Sequence, residues 1–154
     1  MNQSCGLFLG IGLLLTMTAV GAEPGVKTQL VGGTPPGIAA KSSVRMDYTG
    51  ADDLVFHCGT TEFRVAYQKV NTLEYGQSVN RRYAAALLLS PVLLLSKTRK
   101  HFVTLGYVDA GGKQQVLIFR VGKGDIRSVL AGLEARTGRR VEYQDDEARK
   151  AGKG

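Results

Sequence analysis

The sequence predicts a mainly β domain that ends in one amphipathic α-helix. Between residues 43 and 121, short stretches of alternating apolar and polar residues are separated by turn residues such as Gly50, Asp52 and Asp53, a pattern typical of antiparallel strands. After residue 125 the apolar spacing changes to three and four residues, the period of a helix with one buried face. The chain has 154 residues, which favours a single domain with its own core.

About six segments are predicted to be strands by this alternation. They are residues 43–48 (SVRMDY), 54–58 (LVFHC), 62–67 (EFRVAY), 69–76 (KVNTLEYG), 101–109 (HFVTLGYVD) and 114–121 (QQVLIFRV). The last two form a hairpin around the turn AGGK at 110–113. The helix is predicted to begin after Asp125 as its N-cap and to end at Gly138. Its apolar stripe consists of Ile126, Val129, Leu130 and Leu133.

The two ends of the chain are predicted to lie outside this domain, which spans residues 44–143. Residues 5–22 carry no charge and end in Val20-Gly21-Ala22, so residues 1–22 are predicted to be a secretory signal peptide cleaved before Glu23. The alternative is an uncleaved anchor, because about 18 apolar residues just span a bilayer. Residues 23–43 are predicted to be a linker with one short strand at VKTQLV, and residues 144–154 a flexible tail. The chain is therefore expected to be secreted or periplasmic, or attached to the inner membrane.

An apolar insert between two basic clusters is the most unusual segment of the sequence. Residues 81–101, RRYAAALLLSPVLLLSKTRKH, contain an uncharged run at 84–95, and no acidic residue occurs between Glu74 and Asp109. As a helix the run would rise about 18 Å, well short of the roughly 30 Å hydrocarbon core of a bilayer. Pro91 would kink that helix in its middle. The insert is therefore expected not to span a membrane.

Three interpretations of the insert remain open. It lies shallowly in a membrane surface with its cations among anionic head groups, or it folds back as a lid over the domain, or it docks a protein partner or a second copy of the chain. In the first and third interpretations, the predicted contact residues are Arg81, Arg82, Leu87, Leu88, Leu89, Val92, Leu93, Leu94, Leu95, Lys97, Arg99 and Lys100.

The order of elements resembles the pleckstrin-homology-like (PH-like) superfold. The segments similar to bacterial members are VAYQKVNTLEYGQ, KTRKHFVTLGYVDAGGKQQVLIFRV and the helix that closes with LEARTGRRVEY. The resemblance implies a partly open antiparallel barrel of about six or seven strands, with the helix plugging one end. Phosphoinositide-binding members use bases in the first hairpin loop, whereas the loop at 48–53 carries two acids and no base. The resemblance therefore implies no inositol phosphate binding and no specific binding residue.

Motifs for catalysis are absent from the sequence. It contains no nucleophile elbow, metal-spaced His pair, Cys-x-x-Cys or phosphate-binding glycine loop. His57 is predicted to be exposed on its strand and Cys58 to be a small buried hydrophobe, while Glu62 and Glu74 have no evident partner. The net charge of +7 suits anionic partners, but a secreted location argues against nucleic acid. We expect a non-enzymatic binding module without metal or cofactor, whose partner is an anionic membrane surface or a protein.

Overall fold

The computed structural model describes residues 24–36, 39–86 and 99–153. In these ranges the chain forms eight strands, three helices and one 3₁₀ turn at Tyr67–Lys69. The strands are β1 (Val26–Gly33), β2 (Ser43–Asp47), β3 (Asp53–Cys58), β4 (Thr61–Ala66), β5 (Val70–Gly76), β6 (His101–Val108), β7 (Gln114–Val121) and β8 (Glu142–Tyr143). The helices are α1 (Arg81–Ala86), α2 (Ile126–Thr137) and α3 (Asp146–Lys153).

All eight strands belong to one open sheet in the order β4-β3-β2-β1-β7-β6-β5-β8. Neighbouring strands are antiparallel except for the short parallel pair of β5 with β8. The six segments predicted as strands are β2 to β7, and the prediction of a mainly β fold with a C-terminal helix is confirmed. β1 joins the meander β2–β4 to the meander β5–β7, so it connects the two halves of the sheet.

The main core lies on the face of the sheet that α2 covers. The predicted stripe of α2 is buried there, and all four of its members are at most 2% exposed. Phe56 stacks on Phe63 and Phe119 with ring centroids 4.4 and 4.8 Å apart, which joins β3, β4 and β7 within this core. Gly138 ends the helix with φ +66°, a conformation that glycine adopts without strain. Asp125 precedes the helix, but its carboxylate accepts no capping hydrogen bond.

A second, smaller apolar cluster lies apart from the main core. We call it the outer-face cluster, and it consists of Val31, Val79, Phe102 and Ile118, all at most 5% exposed. Tyr83 of α1 and Val116 pack against its border. The sheet around β1, β7 and β6 is therefore apolar on both faces. Loss of the elements that cover either face would bring apolar side chains into water and greatly lower the stability of the domain.

The structure revises the predicted linker at 23–43. The short strand predicted there is β1, and it lies in the middle of the sheet between β2 and β7. Leu30 is fully buried, and it lies opposite Phe119 of β7. Alternation is weak in this segment because β1 contains two consecutive glycines and an irregular register between Leu30 and Gly32. The folded domain therefore begins before residue 44.

The tail predicted to be flexible contains helix α3. Ala148 is fully buried and Gly152 is buried beside Tyr143, where an added Cβ atom would lie only 2.7 Å from Cε1 of that ring. Small residues thus make the contact surface of this helix, and Tyr75 and Leu130 supply the apolar partners. A search for large apolar residues overlooks such a helix because its buried side chains are so small.

Replacement of Leu30 by Ala tests whether β1 belongs to the core. We expect Leu30→Ala to lower the free energy of unfolding by about 2–5 kcal/mol, because it leaves a cavity between two strands. Lys27→Ala on the same strand is the control, since Lys27 is exposed and should change stability by less than about 0.5 kcal/mol. Urea denaturation measures both. Equal stability of the two variants would mean that this segment is a linker after all.

Candidate functional site

The structure describes four of the twelve residues predicted to contact a membrane or partner. Arg81 and Arg82 begin α1, and Arg99 and Lys100 immediately precede β6. The other eight lie outside the described residues, namely Leu87, Leu88, Leu89, Val92, Leu93, Leu94, Leu95 and Lys97. The candidate site is therefore built from the two ends of the insert, which we call its bases. The first base is where the chain leaves β5, and the second base is where it returns to β6.

Both bases lie at one end of the sheet, because Gly76 at the end of β5 pairs with Phe102 near the start of β6. His101 lies opposite Val121, and Val121 lies opposite Thr28 of β1. Neighbouring strands are about 4.8 Å apart, so Thr28 and His101 are separated by roughly 10 Å across the sheet. The chain enters β1 only two residues before Thr28. The segment that precedes the sheet and the insert therefore meet the fold at the same end.

A buried carboxylate on β5 forms hydrogen bonds with the residues at the start of the insert. Glu74 on β5 is 4% exposed and accepts hydrogen bonds from three side chains. Its partners are Arg82 Nη2 at 2.7 Å, Asn80 Nδ2 at 3.1 Å and Gln144 Nε2 at 3.0 Å. The sequence had indicated no partner for Glu74, because Gln144 is 70 residues away and Arg82 lies beyond a turn. Such a carboxylate is stabilised by its donors, and it would be costly to leave unpaired.

The first turn of α1 lies against the outer-face cluster. The Asn80 side chain accepts the backbone N–H of Arg82 at 3.2 Å, which caps the start of α1 in the manner of an N-cap residue. The Arg82 guanidinium lies 4.6 Å from the centre of the Tyr83 ring, and that ring packs against the cluster. Arg82 thus has two intramolecular partners although its side chain is 60% exposed. The insert begins docked on the sheet rather than pointing away from it.

We call the Glu74 carboxylate and its three donors, Asn80, Arg82 and Gln144, the latch. A polar cleft with a volume of about 540 Å³ borders the latch. Its wall contains both cations and carboxylates, and it includes Arg81, Glu142 and Asp145 beside the latch residues. Three donors bind the Glu74 carboxylate, two at Oε1 and one at Oε2. Among the described residues, no group of three or more His, Cys, Asp or Glu could hold a metal ion.

The second base of the insert is tied to helix α3. Arg99 Nη2 lies 3.1 Å from Glu147 Oε2, and both side chains are more than 60% exposed. An exposed pair of this kind contributes little to stability. Its cation remains accessible to an anionic partner, and Lys100 beside it is half-buried. The arginines at the two ends of the insert therefore differ in their partners, because Arg82 pairs with a buried carboxylate and Arg99 with an exposed one.

The remaining candidate side chains have structural partners. His57 is partly exposed and its Nδ1 lies 3.4 Å from Glu62 Oε2, while Arg64 also pairs with Glu62. Cys58, predicted to be a small buried hydrophobe, is partly buried and packs against the main core. Because β1 precedes β2, the acidic loop at 48–53 is the second hairpin connection rather than the first. The first connection, at 34–42, contains one basic residue, Lys41.

No family model matches the chain, and a search of curated proteins finds no match. In the part of the chain that the structure describes, none of the helices is long and apolar enough to cross a membrane. Any functional conclusion therefore rests on the geometry and charges of the site itself.

Replacement of Glu74 by Gln tests the latch. The variant keeps the shape of the side chain but turns one acceptor into a donor, so at least one of its three partners loses its hydrogen bond. We expect a loss of about 1–3 kcal/mol in the free energy of unfolding and faster amide exchange in α1. Glu62→Gln is the matched control, because it removes an exposed carboxylate and should cost less than about 1 kcal/mol. Equal losses in both variants would contradict the latch.

Proposed function

We propose that the protein is a non-enzymatic extracytoplasmic binding module that contacts an anionic membrane surface with the insert at 81–101. We also propose that its sheet is a PH-like, partly open barrel. An open antiparallel meander followed by a helix over one face supports this fold, whereas the parallel strand β8 and the helix α3 are additions to it.

The observation that carries the membrane proposal is the shared end of the sheet. The uncharged N-terminal segment leads into β1, and the two bases of the insert lie at the same end of the sheet, about two strand spacings away at β6 and three at β5. If the N-terminal segment is retained in a bilayer, this end of the domain faces that bilayer. If the segment is cleaved, the same end still carries the apolar insert. Either way, the apolar insert is joined to the fold at this end of the sheet.

The charge at this end suits the same partner. Lys27, Arg81 and Arg99 are exposed there, and Lys100 is half-buried. Lysine and arginine side chains near an anionic membrane surface each contribute about 1 kcal/mol of binding free energy. The uncharged run at 84–95 is too short to cross a bilayer, but it suffices for a shallow wedge in the interfacial layer. We therefore expect binding that weakens as salt screens the charges.

A second candidate function follows from the docked start of the insert. The Glu74–Arg82 latch and the burial of the outer-face cluster favour an insert that continues across the sheet as a lid. The protein would then be a protein-interaction or scaffolding domain, and its contact surface would lie elsewhere or mediate self-association. This candidate predicts that the leucines of the insert contribute to stability rather than to membrane binding.

Vesicle sedimentation with Leu93→Asp separates the two candidates. Every buried side chain of the described residues lies at or after Thr28, so a chain that starts at Glu23 retains the whole described core. We expect this chain to sediment with vesicles that contain phosphatidylglycerol at low salt, because its cations and apolar run bind together. Leu93→Asp should remain folded by circular dichroism and should bind at least about tenfold more weakly.

The control is Thr60→Asp, which adds the same charge in the exposed turn between β3 and β4 and should leave binding unchanged. Two results would contradict the membrane proposal: the unmodified chain stays in the supernatant, and Leu93→Asp unfolds the domain. Those results would instead support the lid.

A further inference from the structure

A second cavity lies beside the return of the insert, and we call it the His101 cavity. Its volume is about 540 Å³, and three parts of the fold form it. β6 provides His101, and α3 provides Ala151. The other lining residues belong to the turn before α2 and to the first turn of α2. Its described lining residues are His101, Lys123, Gly124, Ile126, Arg127 and Ala151.

The charge of this lining is positive. Lys123 and Arg127 are exposed, and within the described residues neither side chain forms an ion pair with a carboxylate. Asp125, which lies between them in sequence, is not part of the lining, and its carboxylate lies close to Gly122. The pKa of His101 is lowered by burial and by the positive charge of Lys123, and both effects favour the neutral imidazole.

A buried tyrosine contacts the ring of His101. Nδ1 of His101 lies 2.5 Å from the hydroxyl of Tyr75, which is fully buried. This hydrogen bond restricts the orientation of the imidazole, and the tautomer of the ring decides which of the two groups donates.

We propose that the His101 cavity binds the phosphate group of a phosphate ester. Two cations and the imidazole of His101 line it, a combination that suits an anion with several acceptor oxygens. The apolar Ile126 and Ala151 line the same cavity and suit the carbon portion of an ester. A free carboxylate offers fewer acceptor oxygens to these cations, so it should bind more weakly.

The phosphate ester comes from a lipid head group or from a soluble metabolite. The lipid source rests on the proposed function, because His101 starts β6 at the end of the sheet proposed to face the membrane. Lys100 and Arg99 directly precede it and would lie beside the same head groups. A soluble phosphate monoester needs no membrane, so the cavity can bind it even if the domain never contacts lipid.

Phosphate titration of the full chain in dodecyl maltoside tests this inference, because that detergent carries neither charge nor phosphate. The probes are inorganic phosphate, glycerol phosphate and short-chain phosphatidylglycerol, followed through the ring signals of the two histidines. We expect the His101 signals to shift with saturation while those of His57 stay constant. The double variant Lys123→Gln/Arg127→Gln should raise the dissociation constant about tenfold or more.

The control is Lys69→Gln/Lys113→Gln, which removes two exposed positive charges outside this cavity and should leave the dissociation constant within about twofold. Saturation by glycerol phosphate identifies a soluble ligand, and saturation by phosphatidylglycerol alone identifies a lipid, and both support the site. An unmoved His101 signal, or equal weakening by the two double variants, would overturn it. Neither result depends on Leu93, so failure here leaves the vesicle experiment to judge the proposed function separately.

Discussion

The pairing of β1 with β7 is the interaction on which the rest of the structure depends. It joins two antiparallel meanders into one sheet, and it buries Leu30 opposite Phe119 in the main core. The same pairing places Thr28, Val121 and His101 in a row, so the start of the fold and the return of the insert share one end. The membrane proposal and the phosphate-ester proposal both depend on this row.

A sheet that is apolar on both faces needs two covers, and this requirement explains the latch. Helix α2 covers the main core, while α1 begins the cover of the outer-face cluster. Glu74 fixes α1 through Arg82 and Asn80, and through Gln144 it also fixes the chain that leads to α3. A single buried carboxylate on β5 thus joins the start of α1 to the segment at Gln144, which lies 70 residues after Glu74. Its burial is tolerated because each donor compensates part of the lost hydration.

Local patterns predicted β2 to β7 and α2 because their alternation, turns and helical spacing are complete within each segment. The place of β1 could not be predicted in this way, because its partner strand β7 lies about ninety residues later and its glycines interrupt the alternation. The latch of Glu74 was missed for the same reason. Helix α3 was missed because its buried residues, Ala148 and Gly152, are too small to produce an apolar stripe. Of the predicted site, four of the five basic residues are described, and one of these four, Arg82, is bound by a buried carboxylate.

The orientation of the domain on a membrane is the central claim, and paramagnetic relaxation by gadolinium-labelled lipid tests it most directly. The account predicts that vesicles carrying this lipid broaden the backbone amide signals of Lys27, Lys100 and Lys123. It predicts that the turn at Gly112 is spared, since β6 separates the two ends of its hairpin by about 24 Å. Equal broadening at both ends, or stronger broadening at Gly112, would contradict the account.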